Sequence, residues 1–316
     1  MLKKSLLLSP LDIERADLIW FIRLIKLGNK IVLFDSILTE EQDSIQHITT
    51  FNHTILNESK QTRLPYGSIR HLLPSPPRWD VIARKDQSYR FVIEEGGGAI
   101  TKLKIANKKG MFPLTTNYEF ESFTRPRFIK EYSDESKLLL TAISDGNKFV
   151  VFPSQVESEK IKYTDLGNWS NGFLVKIPGG YLLIAKRNSP GDMRYYSSPG
   201  KLEFIKLDDN LQKSKEIIKP LGENIIYEFD ADVIIVDKNK VKIIVSAIGE
   251  KDTFLNLYDE VGRVISDSIE LDGNFAVTNL SQPAVVILNT DTIYLSMIDK
   301  YQEKNARLLV GSLIIN

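Results

Sequence analysis

Apolar positions along the chain come in short runs, and each run is cut by a cluster of Asp, Asn, Gly or Lys before the next begins. Leu174–Ile177 gives way at Pro178-Gly179-Gly180 to Tyr181–Ile184. Leu24–Leu27 gives way at Gly28-Asn29-Lys30 to Ile31–Leu33, and the two stretches overlay with one residue of slack at Pro178. Runs this short, separated by turn formers, predict β-hairpins. The same form returns at Trp79–Ala83 with Tyr89–Ile93 and at Arg127–Ile129 with Leu138–Leu140. It returns again at Val233–Val236 with Val241–Val245 and at Ala284–Leu288 with Thr292–Leu295. Three of the second strands end alike, in Thr141-Ala142-Ile143, Ser246-Ala247-Ile248 and Ser296-Met297-Ile298.

Starting points at Phe21, Trp79, Phe128, Phe173, Val233 and Val285 recur at steps of roughly 45 to 60 residues, the spacing of a repeat array. Third and fourth strands are visible at Leu202–Leu207 with Gln212–Ile218, and at Phe254–Tyr258 with Arg263–Leu271. The pattern resembles the β-propeller superfold over nearly the whole chain. The expectation is one all-β domain of six four-stranded blades, at approximately 17–60, 78–120, 124–165, 170–220, 228–275 and 280–316. The last unit shows only a third strand, Arg307–Ile315, so Leu2–Leu8 is expected to supply its fourth and close the ring. Two points compete with this reading. Ser9-Pro10, Glu14 and Gly28 also fit a helix over residues 10–27, with five blades following it. Residues 52–77, with Pro65-Tyr66-Gly67 and Pro74-Ser75-Pro76-Pro77, read as an irregular insertion.

Composition narrows the chemistry. Of 316 residues, 42% are apolar and 26% charged, a globular balance, and 41 basic side chains meet 41 acidic ones, which argues against general nucleic-acid binding. There are no cysteines, so disulfides, thiolate metal sites and thiol catalysis are excluded. With three histidines, His47, His53 and His71, no metal site and no cofactor are expected. The apolar run after Lys3-Lys4 stops at Ser9-Pro10, too soon for a secretory signal, and Leu18–Leu27 is too short and too charged to span a membrane. A cytoplasmic location is therefore expected.

In a propeller the loop entering the first strand of each blade lines one mouth of the central channel, where ligands bind. Those positions carry Arg15 and Asp17, Arg78 and Asp80, Glu121 and Arg125, Asn168 with Trp169 and Asn171, Glu228 with Asp230 and Asp232, and Gln282. Two readings follow. The leading one is a non-enzymatic scaffold that binds another protein or serves as a subunit of an assembly, with Arg187 and Arg194 on an extended hairpin as contacts. The alternative is a carbohydrate-active propeller, either a glycoside hydrolase or a lectin-like binder. As a hydrolase it would use Asp80, Glu121 and Asp230 as its carboxylates. Arg15, Arg78 and Arg125 would hold an anionic sugar, beside Asn168, Trp169 and Gln282. The resemblance to sialidase-like propellers rests on Ser144-Asp145-Gly146 alone, without the Trp of that family's Ser-x-Asp-x-Gly-x-x-Trp repeat. The Trp-Asp pair that ends WD40 repeats is absent, since Trp79-Asp80 begins a strand. The double glycine of kelch repeats does not recur beyond Gly179-Gly180.

Overall fold

A computed structural model describes residues 5–7, 9–10, 19–40, 47–71, 79–83, 89–95, 100–107, 114–121, 127–131, 137–144, 148–155, 164–168, 171–188, 200–218, 225–237, 240–249, 253–259, 261–265, 269–272, 282–289, 292–300 and 306–314. Every regular element among them is a strand. The chain divides into two compact units, one of Ile19–Trp169 and one of Met1–Leu18 with Ser170–Asn316. The second begins with two short strands, β1 (Ser5–Leu7) and β2 (Ser9–Pro10).

The unit of residues 19–169 holds three consecutive four-stranded antiparallel sheets. The first comprises β3 (Ile19–Leu27), β4 (Lys30–Glu40), β5 (His47–Ile55) and β6 (Leu64–His71). The second comprises β7 (Trp79–Ala83), β8 (Tyr89–Glu95), β9 (Ile100–Asn107) and β10 (Leu114–Glu121). The third comprises β11 (Arg127–Glu131), β12 (Lys137–Ser144), β13 (Lys148–Gln155) and β14 (Thr164–Asn168). Residues 19–27 are strand, as the hairpin match predicts, and not the second half of a helix. Ile22, Leu24 and Ile25 are all buried, so the strand is covered on both faces there, and its apolar run is broken only by Arg23 and Lys26.

Residues 52–77 are not wholly irregular. The structure places the end of β5 and all of β6 there. Pro65 is tolerated because β6 pairs with β5 alone and is an edge strand, where a missing N–H leaves no ladder bond unmade. The core between the first two sheets is aromatic. Phe34 meets Tyr89 and Phe91 edge-on, with centroids 4.8 and 5.5 Å apart, and Phe51 meets Trp79 edge-on at 5.4 Å. The buried Trp79 indole N–H donates to Ser36 Oγ at 3.0 Å, so its one polar atom is satisfied.

The other unit repeats the plan. β15 (Asn171–Ile177), β16 (Gly180–Asn188), β17 (Gly200–Leu207) and β18 (Lys213–Ile218) form one antiparallel meander. β19 (Ile226–Asp237), β20 (Lys240–Gly249), β21 (Thr253–Tyr258) and β22 (Ile269–Asp272) form the next. A bridge between Gly200 and Ile226 joins the two meanders, and with β1 they make one nine-stranded sheet. β23 (Gln282–Ile287), β24 (Thr292–Lys300) and β25 (Ala306–Ile314) complete the series, and β2 is the fourth strand of their sheet. One core, with Leu182, Ile184, Phe204, Phe229 and Ile243, lies between the first two meanders. A second, with Ile244, Leu255, Leu295 and Met297, lies between the second meander and the last sheet.

The segment expected to complete the last sheet is displaced. Ser9 and Pro10 pair with Val310 and Leu309 of β25, whereas Ser5–Leu7 pair in parallel with Glu270–Asp272 of β22, in the preceding meander. Pro10 cannot donate to a ladder and sits where β2 ends, on an outer edge. The overlay of the two glycine hairpins also sharpens. Leu27 pairs with Lys30 and Ile177 with Gly180, so both loops have two residues and no slack is needed. Gly180 is obligatory: φ is +149° and an added Cβ would lie 2.0 Å from the Leu207 carbonyl oxygen.

Two turns between third and fourth strands share one design. Asp208 Oδ1 accepts the N–H groups of Asn210 and Gln212 at 2.9 and 2.8 Å, and Asp259 Oδ1 accepts those of Val261 and Arg263 at 3.0 and 2.8 Å. The residue three beyond each Asp has a positive φ, +63° at Leu211 and +75° at Gly262.

Candidate functional site

The first strands of the two meanders and of the last sheet in the unit of residues 170–316 lie side by side. Asp230 Oδ2 accepts the Val285 N–H at 2.9 Å, and two residues on, Asp232 Oδ2 accepts the Ile287 N–H at 2.7 Å. The matched steps mean that β19 and β23 run in the same direction. Phe173 of β15 packs on Phe229 of β19 with ring centroids 5.2 Å apart. Asn171, Glu228 and Gln282 therefore come at the same end of three neighbouring strands.

Polar groups are buried at this end. Glu228 and Asp230 are both almost wholly inaccessible, as are Ser246, which is paired in register with Asp230, and Lys186, which is paired with Asn171. Lys186 Nζ donates to the Tyr227 carbonyl oxygen. Glu228 and Asp230 are two residues apart on one strand, about 7 Å along it, a separation within the range of an inverting glycosidase pair. Asp230 already accepts a backbone N–H, and Asp232 accepts two, from Ile287 and, through Oδ1 at 2.9 Å, from Val233. These two carboxylates bind the inner edge of β23, and Glu228, two residues before Asp230, is buried beside them on the same strand.

In the unit of residues 19–169, Asp80 on β7 is fully buried and lies with Oδ1 2.9 Å from Arg23 Nε of β3. Asp35 on β4 is likewise buried. It accepts from Arg63 Nε at 3.0 Å, from Arg63 Nη2, and from Asn52 Nδ2 at 3.3 Å. Asp80 is paired with a cation and Asp35 meets fixed donors, which suits an anchoring task. Glu121 is the last residue of β10, at the opposite edge of the sheet from β7. Register places Asp80 level with Thr116, five residues before Glu121. Three strand spacings across and five residues along put Asp80 and Glu121 about 20 Å apart, well beyond a carboxylate pair that shares one glycosidic bond.

The remaining sequence candidates are scattered. Asn168 ends the outer strand β14, and Gln282 begins the first strand β23. Arg187 on β16 is exposed, its Nε 3.3 Å from Glu203 Oε2 on β17. Arg15, Arg78, Arg125, Trp169 and Arg194 lie outside the described residues. Among the described residues, no three His, Asp or Glu side chains converge as a metal site. Sequence reading placed Glu228 near the mouth without choosing it, and passed over Lys186 and Arg23, which look like ordinary solvent-facing charges in alternating strands.

No protein-family model and no curated protein matches the sequence. Solved β-propeller structures do match the fold over nearly the whole chain. The GH93 α-L-arabinofuranosidase of Fusarium graminearum, solved with arabinobiose, matches with a TM-score of 0.64 at 11% identity, over 99% of this chain and 97% of that one. The Trypanosoma rangeli sialidase, solved with the inhibitor DANA, matches with a TM-score of 0.57 at 9% identity, over 98% of this chain and 58% of that one. The SapL1 lectin, solved with α-methyl fucoside, matches with a TM-score of 0.56 at 9% identity, over 96% of this chain and 98% of that one. The chain shares their fold, and the expectation of a β-propeller is met at that level.

Proposed function

We propose that this chain is a carbohydrate-binding β-propeller of six blades, four of them the four-stranded sheets and two the meanders β15–β18 and β19–β22, with Ser9–Pro10 as the closing strand of the last. The ligand site is assigned to the N-terminal ends of β15, β19 and β23, with Glu228 as its central acceptor for sugar hydroxyls. The observation that carries this reading is the gathering of the buried polar side chains Lys186, Glu228, Asp230 and Ser246 on β16, β19 and β20, near the level where β15 and β23 begin. It is supported by a fold whose neighbours include an arabinofuranosidase bound to arabinobiose and a lectin bound to a fucoside. Sugar recognition needs planar acceptors held rigidly, and the carboxylate of Glu228, on a strand fixed to its neighbours, fits that need.

Binding is favoured over hydrolysis. Two of the three carboxylates expected to do chemistry, Asp80 and Asp230, are engaged by protein donors, and the third, Glu121, lies about 20 Å from Asp80. The sugar reading takes precedence over a protein-binding scaffold because three structures that share the fold are solved with a sugar or a sialidase inhibitor. The test is a glycan array with the purified chain, followed by calorimetry on any sugar retained and by an assay for turnover of chromogenic glycosides. Binding without turnover, lost in Glu228→Gln, is the expected result. A blank array removes the proposal, and hydrolysis that survives Glu228→Gln removes the site.

A further inference from the structure

β19 carries one residue more than its partner. Ile226 pairs with Gly249 and Glu228 with Ile248, so Tyr227 is a β-bulge. The bulge changes which residues share a face. In a regular strand Ile226 and Glu228 would point the same way. Here Ile226 lies in the same core as Phe229 and Ala231, three and five residues on, while Asp230 and Asp232 reach across to β23. One extra residue thus buries Ile226 and sets Glu228 on the face of the two aspartates.

Tyr227 has no partner of its own in the register with β20, and its carbonyl accepts from Lys186 Nζ. Lys186 stands on β16 two residues beyond Ile184, which with Leu182 belongs to the core that β16 shares with β19, and its side chain is fully buried. An ammonium group placed in such a layer costs far more than a Met or Leu would unless its donors are used. A donor from the neighbouring sheet at the bulge fixes the local backbone, and through it the direction of the next side chain.

We propose that Lys186 is a positioning residue. It pins the Tyr227 bulge and thereby holds Glu228 toward the ligand. This deepens the sugar-binding reading and rests on it for the ligand half. Two readouts separate the halves. Hydrogen exchange over residues 226–230 reports the clamp without any ligand, and calorimetry with arabinobiose and with methyl α-fucoside reports the consequence. In Lys186→Met, which keeps the volume and removes the charged donor, exchange at 226–230 should quicken about ten- to a hundredfold relative to β24, and sugar affinity should fall by a similar factor. Lys186→Arg should restore both to within about threefold of the parent, since it keeps a charged donor.

Unchanged exchange in Lys186→Met overturns the clamp whatever the sugars do. Quickened exchange with unchanged affinity overturns its role in positioning. If the parent chain binds neither sugar while exchange responds as expected, the ligand half fails together with the sugar reading, and the clamp stands. Should Lys186→Met not fold, Lys186→Gln, one atom too short to reach the carbonyl, makes the same comparison against Lys186→Arg.

Discussion

Asp230 offers the sharpest test of whether the acids of β19 are architecture or chemistry. Val285 and Asp230 are each about 1% exposed, and the 2.9 Å bond between them is charge-assisted. Asp230→Ala removes the acceptor and leaves the Val285 N–H dry and unpaired. Stranding a buried donor costs about 1–3 kcal/mol, and losing a bond to a charged group falls in the upper half of that range. Relief of the buried charge offsets part of it, so a net loss of about 2 kcal/mol is expected. Asp232→Ala should cost about 1–2 kcal/mol, because that side chain is less buried although it holds two amides. The two bonds lie on one pair of strands, so the double variant should depart from additivity by about 0.5 kcal/mol or more. Asp230→Asn keeps an oxygen at the same place and should lose less than about 1 kcal/mol. Urea unfolding followed by circular dichroism measures all four. A loss under about 0.5 kcal/mol in Asp230→Ala, the range of an ordinary surface change, would refute the staple. An Asp230→Asn variant as stable as the parent that has lost turnover on a glycoside would return Asp230 to catalysis.

Leu211 adopts φ +63° where the matching turn has Gly262, so Leu211→Gly should raise stability by about 0.5–1 kcal/mol, less whatever packing the leucine supplies; a lowered melting temperature contradicts the shared design of the two turns. Asp35→Ala leaves Arg63 beside an apolar layer without its partner and should cost about 3–5 kcal/mol in the same urea assay; a loss below about 1 kcal/mol would mean that the ion pair is solvated. Burial raises the Tyr258 phenol above its ordinary value of 10.0, with the Asn256 bond pulling slightly back, and burial raises Tyr89 as well. The folded chain then holds these protons more tightly than the unfolded chain. Their contribution is complete below about pH 10 and is lost as the pH rises through the folded values. Two phenols should ionise late in an alkaline titration read by phenolate absorbance, and Tyr258→Phe should remove one of them.

The hairpins were legible because each is local: two apolar runs and a turn former within about twenty residues carry the whole signal. The ends of the second strands that read alike in sequence also match in register, with Thr141 opposite Arg127, Ser246 opposite Asp230 and Ser296 opposite Ala284. β6 was not legible, because Pro65 and Gly67 are strand breakers everywhere except at an edge, and edge status is a tertiary fact. The partner of Ser5–Leu7 was misassigned for a related reason: a short apolar strand fits any open edge, and sequence carries no signal that distinguishes β22 from β25. The site was the least legible part. A bulge changes the facing of residues without changing their identity, so the facing of Glu228 could not be counted off from alternation, and Lys186, in step with Leu182 and Ile184, was passed over for its charge.

The short stretch Ser5–Pro10 lies on the outer edges of two successive sheets, and both edges are made by residues synthesised some 260 to 300 positions later. At about 5–20 residues per second, a ribosome leaves that stretch without its pairing partners for roughly fifteen to sixty seconds. During that interval the emerging chain carries an unclaimed apolar strand, open to a holdase chaperone or to a neighbouring nascent copy. Assembly of this protein is therefore governed by a wait: a strand made early finds its place only once β22 and β25 have been made.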